Sequence, residues 1–433
     1  MSAADTTTAV ILLDFAVVVT AAGLATALAR RFGQPAVIGE IVAGIALGPS
    51  LLGLLPGDPS HWLFPTAERP ILGVLGNVGL VLFMFVVGYE VDLGQLRRAR
   101  SAVATVALGS IALPMAMGTG LALWLYPQYR DSLPEHIGRI PFVLFLGVAL
   151  SITAFPVLAR ILTDLKLQRS PIGGFAMSVA AVTDVLAWAL LAVVVLLAVG
   201  GSWTAVGLRA AGLVLFVVAL ALVVRPLLRR LLLLLEGRRA GPRTVLLIIV
   251  VGLLLSSWAT TELGFHPIFG AFAFGAAVPK AALAAVAPET LLLIEQTGWL
   301  FMPVFFITTG LGVDIAGIGW VGLGQLALVM LVACAGKFLG SAGAARLAGM
   351  PARQASAVGV LMNCRGLTEL VVIQAGVSVG VLTPRLATIM IVMAVLTTAM
   401  TAPLFGRIHG KAPLPHEAPD ATAAQVSAPT RAR

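Results

Sequence analysis

Long apolar runs, broken at short intervals by Gly, Pro and clusters of Arg, fill the chain from about residue 8 to residue 406. About 20 apolar residues cross the hydrocarbon core as a helix. That ruler predicts thirteen spans, at 8–30, 35–53, 70–89, 101–126, 140–162, 171–199, 203–228, 243–260, 264–286, 290–312, 317–346, 355–379 and 384–406. The second, "GEIVAGIALGPSLLG", is short and punctuated by Gly and Pro. The first carries no basic n-region or small-residue cleavage site and is expected to be retained. From 410 to 433 the chain turns rich in Ala and Pro without periodicity, which predicts a disordered tail.

Two spans differ from the rest. The fifth, "IPFVLFLGVALSITAFPVLARIL", places Pro156 in mid-segment behind Ser151 and Thr153. Proline removes a backbone donor and clashes with the preceding turn. The twelfth, "ASAVGVLMNCRGLTELVVIQAGV", has Asn363, Arg365, Gly366 and Glu369 in its middle. Irregular backbone at such depth requires protein or a watery cavity to satisfy it. Each is the middle of a three-span unit, and an offset of seven spans gives the two units opposite orientations. Paired interrupted segments in corresponding positions point to a secondary transporter built from inverted repeats.

Composition supports the membrane reading. Of 433 residues, 59% are hydrophobic and 11% charged, against roughly 25% charged in soluble domains. The net charge of +9 reflects Arg and Lys concentrated on alternate loops, not a nucleic-acid partner. Arg30/Arg31, Arg97/Arg98/Arg100, Lys166/Arg169, the cluster from Arg229 to Arg243, Lys280, Arg346/Arg353 and Arg407/Lys411 all fall on one side of a thirteen-span chain. The opposite loops hold Arg69, Arg130, Arg139 and Arg385. The positive-inside rule then predicts a multi-pass cell-membrane protein with its N-terminus outside and its C-terminus in the cytoplasm. Cys334 and Cys364 lie in apolar segments and suggest neither disulfide nor metal site. No P-loop, HExxH, Cys/His cluster or strand-linked GxGxxG occurs, so no enzyme and no cofactor is expected.

The chemistry rests on a few intramembrane polar residues. Asp184 sits near the centre of "GFAMSVAAVTDVLAWALLAVVVLLAVGG". An ionised carboxylate there costs at least ~2.5–3.5 kcal/mol, and such residues mark ion or proton pathways. A carboxylate that binds either a cation or a proton can exchange one for the other, with Thr183, Thr153, Ser151 and Asn363 as candidate oxygen ligands. Lys337 is the second buried charge. It either snorkels to the nearer surface or compensates Asp184. Arg365 and Glu369, four apart across the interruption, read as a local salt bridge that offsets the half-helix ends. Glu40 either lines an access funnel or pairs with Arg30 or Arg31. Asp14 is expected at the interface, and Glu295 at the interface or a subunit contact.

"GQPAVIGEIVAGIALGPSLLG", "LVLFMFVVGYEVDLGQLRR", "SITAFPVLARILTDLKL", "MSVAAVTDVLAWALLA" and "LMNCRGLTELVV" together resemble the cation:proton antiporter-2 superfamily. The likeness is greatest to the membrane domains of Kef-type and plant cation/H+ exchangers. It implies an all-α NhaA-type fold with two crossed, broken helices (Pro156 and Gly366 at the breaks). It also implies a core domain at about 101–199 and 317–406, a dimerisation domain from the other helices of 1–409, and elevator-like alternating access in a homodimer. By motif, Asp184 matches the family's essential carboxylate and Lys337 its basic residue on the preceding span. Thr183 departs from the family, which has Asn or a second Asp there, and a single acid favours electroneutral exchange. The nucleotide-binding domain of Kef channels is expected to be absent. The expected activity is Na+ or K+ exchange for H+. An organic-solute carrier of the same fold and a gated channel stay open at this point.

Overall fold

The structure, a computed structural model, describes residues 3–65, 68–90, 101–165, 167, 170–199, 203–237 and 241–409. The expected tail, and the basic residues Arg97, Arg98, Arg100, Lys166, Arg169, Arg238, Arg239 and Lys411, lie outside the described residues. The described chain is helical throughout, without a strand. That is the form in which an apolar segment satisfies its own backbone in lipid.

Eighteen α-helices follow one another among the described residues. They are α1 (Ala3–Arg31), α2 (Ala36–Leu47), α3 (Pro59–Leu63), α4 (Arg69–Glu90), α5 (Ser101–Tyr129), α6 (Arg139–Ser151), α7 (Phe155–Asp164), α8 (Pro171–Val199), α9 (Trp203–Ala219) and α10 (Arg225–Gly237). Then come α11 (Pro242–Glu262), α12 (Pro267–Ala277), α13 (Lys280–Val286), α14 (Glu289–Leu311), α15 (Gly319–Leu347), α16 (Ala352–Met362), α17 (Leu367–Ser378) and α18 (Pro384–His409). A π-helical turn, Leu220–Val224, joins α9 to α10 without a break.

Ten helices are long and apolar enough to cross a membrane, or eleven when the bent pair α12–α13 is one span. The chain is therefore a multi-pass membrane protein. Two segments of the sequence count are shorter pieces instead. The expected breaks are present at 152–154, between α6 and α7, and at 363–366, between α16 and α17. A third break was not expected. The segment 264–286 reads as one span, but its helices meet at 77° around Val278 and Pro279. The proline ring is incompatible with an uninterrupted helix.

The helices pack in two groups. In one, α4 lies against α12 and α14, α2 against α1 and α14, and α11 against α12. In the other, α5 lies against α6, α8 and α15, while α16 lies against α15, α18 and α8. Trp188 of α8 reaches across to α12, edge-on to Phe269 at 5.8 Å and beside Phe272 at 6.1 Å.

Asp14, expected at the interface, is 0% exposed within the protein, one turn before the buried Val18 of α1. Asp314 follows α14, and its carboxylate accepts from the Gly317 N–H at 2.8 Å, a local turn.

Candidate functional site

The two interruptions cross. Ala154 N–H donates to the Cys364 carbonyl at 3.1 Å, and Thr153 Oγ1 donates to the Met362 carbonyl at 3.2 Å. Each broken segment thus satisfies backbone groups that the other exposes. Gly366 sits at φ 156°, ψ −126°, a region open essentially only to glycine. A Cβ there would stand 2.7 Å from Val157 Cγ2, so the same residue permits both the turn and the contact between α7 and α17. Pro156 is the second residue of α7, where a missing N–H removes nothing the helix uses. The sequence puts the break at Pro156; the helix instead restarts around it.

A helix end leaves four carbonyls without intrahelical partners. At the end of α6 every one is accounted for. Val148 O accepts from Ser151 Oγ at 2.7 Å. Ala149 O and Leu150 O accept from the Arg365 guanidinium at 3.2 and 2.6 Å. Ser151 O accepts from Lys337 Nζ. The two buried cations therefore sit at the negative end of a half-helix dipole, where cations are favoured.

Lys337 is 0% exposed and also donates to Ser110 O at 2.9 Å and Ser110 Oγ at 3.1 Å. It does not snorkel, because the protein supplies acceptors at its own depth. Close approach of α5 and α15 makes this possible. A Cβ on Gly336 would meet Pro114 Cα at 2.9 Å, and one on Gly109 would meet Gly340 O at 2.7 Å. Small residues let membrane helices approach this closely, and here they deliver Lys337 to Ser110. Ser110 was missed in the sequence; its signal was its place beside Gly109 on the small-residue face of the fourth span.

Arg365 forms the expected salt bridge, with Nη1 2.9 Å from both oxygens of Glu369. Both side chains are fully buried. Glu369 lies in the first turn of α17, the end where an acid is favoured. Thr398 of α18 completes the clamp. It accepts from Arg365 N–H at 3.0 Å and donates to Arg365 O.

Asp184, on α8, is 3% exposed, and neither carboxylate oxygen has a hydrogen-bond partner. The groups facing it are the Lys337 ammonium and the backbone N–H of Phe155, the first residue of α7. Neither makes a hydrogen bond of full geometry to it. Thr183 is buried beside it, but its hydroxyl donates to Ala180 O at 2.9 Å within α8, leaving only lone pairs for a ligand. Ser178 likewise donates to Gly174 O. Asn363 Nδ2 approaches Cys334 Sγ at 3.5 Å, while its Oδ1 is buried and unpartnered. Among the described residues no group of three His, Cys, Asp or Glu side chains could hold a metal ion.

A cavity of about 370 Å3 opens beside α7. Arg30, Glu40, Glu90, Glu295, Phe155 and Val157 are among its walls. Glu40 thus takes the funnel position and accepts from Thr26 Oγ1 at 3.3 Å, with no ion pair to Arg30 or Arg31 among the described residues. Glu295, exposed, is among the lining of this cavity. Among the described lining residues three carboxylates stand against one guanidinium, with Lys280 also facing Glu90, a balance that favours cations, and Phe155 joins the wall to the surroundings of Asp184.

The description "Sodium/hydrogen exchanger, transmembrane" matches residues 17–407. The chain belongs to this family, within the cation:proton antiporters. Its relatives include Cation/H(+) antiporter 17 of Arabidopsis thaliana, 39% identical over 91% of this chain and 48% of that protein. The Na(+)/H(+) antiporter NhaS4 of Synechocystis sp. is 35% identical over 94% of this chain and 98% of its own length. The K(+)/H(+) antiporter 1 of Saccharomyces cerevisiae is 31% identical over 86% of this chain and 43% of its own. The chain thus spans about half the length of the plant and yeast relatives. In fold it is similar to the sodium proton antiporter MjNhaP1 of Methanocaldococcus jannaschii, with TM-score 0.62 at 14% identity, over 93% of this chain and 98% of that one.

Proposed function

We propose that the protein is a monovalent cation/proton antiporter in which cation and proton compete for Asp184. The observation that carries the reading is a carboxylate with both oxygens buried and unpartnered. It lies beside the crossing of two broken helices, next to an acidic vestibule. A buried carboxylate that no donor fully satisfies takes up either a proton or a cation to offset its desolvation. Relatives named for Na+/H+ and for K+/H+ exchange fit either ion at this site.

In the proposed cycle a cation enters through the vestibule and displaces the proton from Asp184. Asn363 Oδ1, Thr183 Oγ1 and Thr153 Oγ1 supply further oxygens. Lys337, Arg365 and Glu369 hold the crossing rather than bind cargo. With one titrating acid at the site, exchange is electroneutral. Counting each broken or bent segment as one span gives thirteen, arranged as inverted repeats in an NhaA-type fold. The group containing α5–α8 and α15–α18 is the core that moves. The other group is the scaffold, through which two copies pair. The orientation proposed is N-terminus outside, C-terminus cytoplasmic, in the cell membrane.

The test is flux in proteoliposomes. Addition of Na+ or K+ should dissipate an imposed pH gradient in wild type and leave it intact in Asp184→Asn. Equal dissipation by Asp184→Asn removes Asp184 from the mechanism. A current proportional to flux rules out the electroneutral scheme.

A further inference from the structure

Helix α15 addresses both interrupted segments from one face. Lys337 donates to Ser110 and to the Ser151 carbonyl at the end of α6. Cys334 stands three residues earlier, on the same face of the helix, and its sulfur accepts from Asn363 Nδ2 at 3.5 Å. Asn363 closes α16 as its C-cap, with φ −81° and ψ 2°. The residues flanking it are bonded to the other break: Met362 O accepts from Thr153 Oγ1 and Cys364 O from Ala154 N–H. Phe155, the next residue, presents its N–H towards Asp184. Asn363 is 7% exposed, and its Oδ1 is buried without a partner. An orphaned amide oxygen at this depth costs free energy that a bound cation recovers.

We propose that Cys334 is a positioning residue of the cation site: its sulfur holds the Asn363 amide by the nitrogen and so commits Oδ1 to the cation. This role rests on the reading of Asp184 and Asn363 as ligands of one cation. An amide presents donors at one end and an acceptor oxygen at the other, and a half-turn exchanges them. With Nδ2 turned to the crossing, two N–H donors would face a cation and repel it. An acceptor on α15 favours the opposite orientation. A thiol supplies that acceptor while behaving otherwise as a small hydrophobe, suited to a position within the membrane. Cys334 thus sets cation affinity through Asn363, just as Lys337 on the same face holds the end of α6.

The full chain in proteoliposomes, with flux driven by an imposed pH gradient and Na+ and K+ titrated separately, gives KM and maximal rate. Cys334→Ala should raise KM for the transported cation about 3–10-fold, the worth of one neutral hydrogen bond, and leave the maximal rate unchanged. Cys334→Ser keeps an acceptor and should stay near wild type. Asn363→Ala should raise KM at least as far, and Cys334→Ala should add nothing to it. A wild-type KM in Cys334→Ala, the same raised KM in Cys334→Ser and Cys334→Ala, or additive effects of the two sites overturns the proposal. So does a loss of maximal rate at unchanged KM, which assigns Cys334 to helix packing. If Cys334→Ala fails to fold, Cys334→Val, which deletes the acceptor without leaving a void, carries the same expectation. If Asn363→Ala is inactive, the contrast between Cys334→Ala and Cys334→Ser decides alone. Flux in Asp184→Asn equal to wild type removes the underlying reading of the site. An inactive Asp184→Asn beside an unaffected Cys334→Ala overturns the positioning role alone.

Discussion

Lys337 gives its ammonium to the carbonyl of Ser151, not to the carboxylate of Asp184. The two charges are close enough to feel each other, yet the lysine is engaged by three oxygens on α5 and α6. Compensation of the acid is therefore long-range, and the lysine's bonds serve the broken helix. Lys337→Met, which keeps the stem and deletes the donor, should destabilise the protein by about 2–4 kcal/mol by leaving buried carbonyls unpaired. Thermal unfolding in detergent measures it. An unchanged midpoint would place the lysine's role at the ion site instead.

Arg365 and Glu369 are a buried pair, and breaking such a pair from one side costs about 3–5 kcal/mol. Glu369→Gln keeps the shape and the hydrogen-bonding oxygen, so it should cost less than Arg365→Met. The latter strands a carboxylate and also frees the carbonyls of Ala149 and Leu150. A double-mutant cycle should return a coupling of at least ~1 kcal/mol. Additive effects would mean that the pair does not hold the crossing.

How much of this was readable beforehand depended on range. The breaks at 152–154 and 363–366 were legible because proline, glycine and polar residues inside apolar runs are local anomalies. The Arg365–Glu369 bridge followed from spacing alone. Lys337 stayed open between snorkelling and compensating Asp184 because its acceptors lie 227 and 186 positions away, and no pattern along one helix reveals them. The full burial of Asp14 was likewise not legible, since it depends on packing between helices far apart in the chain. The bend at Pro279 was missed because the apolar run continues through it, and hydropathy does not register a lost backbone donor.

Gly366 should be intolerant of even one methyl group. Gly366→Ala puts a Cβ 2.7 Å from Val157 Cγ2 at a φ that L-residues avoid, so a loss of about 2–3 kcal/mol is expected. Adding Val157→Ala relieves the contact but not the backbone strain, and should restore only part of the loss. Full rescue would show that sterics, not φ, require glycine.

The vestibule carboxylates act through their field. Glu295→Gln should raise the apparent KM for the cation about 2–3-fold at low ionic strength with little change in maximal rate. The difference should fade as salt shortens the Debye length to about 8 Å or less. Flux measured across a series of choline chloride concentrations reports it. A salt-independent effect, or a loss of maximal rate alone, would argue that Glu295 touches the ion or the moving core.

His266, the residue before α12, lies between membrane spans. Burial lowers its pKa from 6.5 to about 4, and its Nδ1 has no partner. The folded state thus binds the proton more weakly than the unfolded state, and stability must fall as the medium is acidified. The loss begins as pH drops through 6.5, the unfolded value, and is complete below about 4, the folded one. The total is about 3 kcal/mol. His266→Gln removes the titrating group, so its unfolding midpoint should decline less than that of wild type over this window. Parallel declines in the two proteins would assign the acid sensitivity to other groups and leave His266 neutral for packing reasons alone.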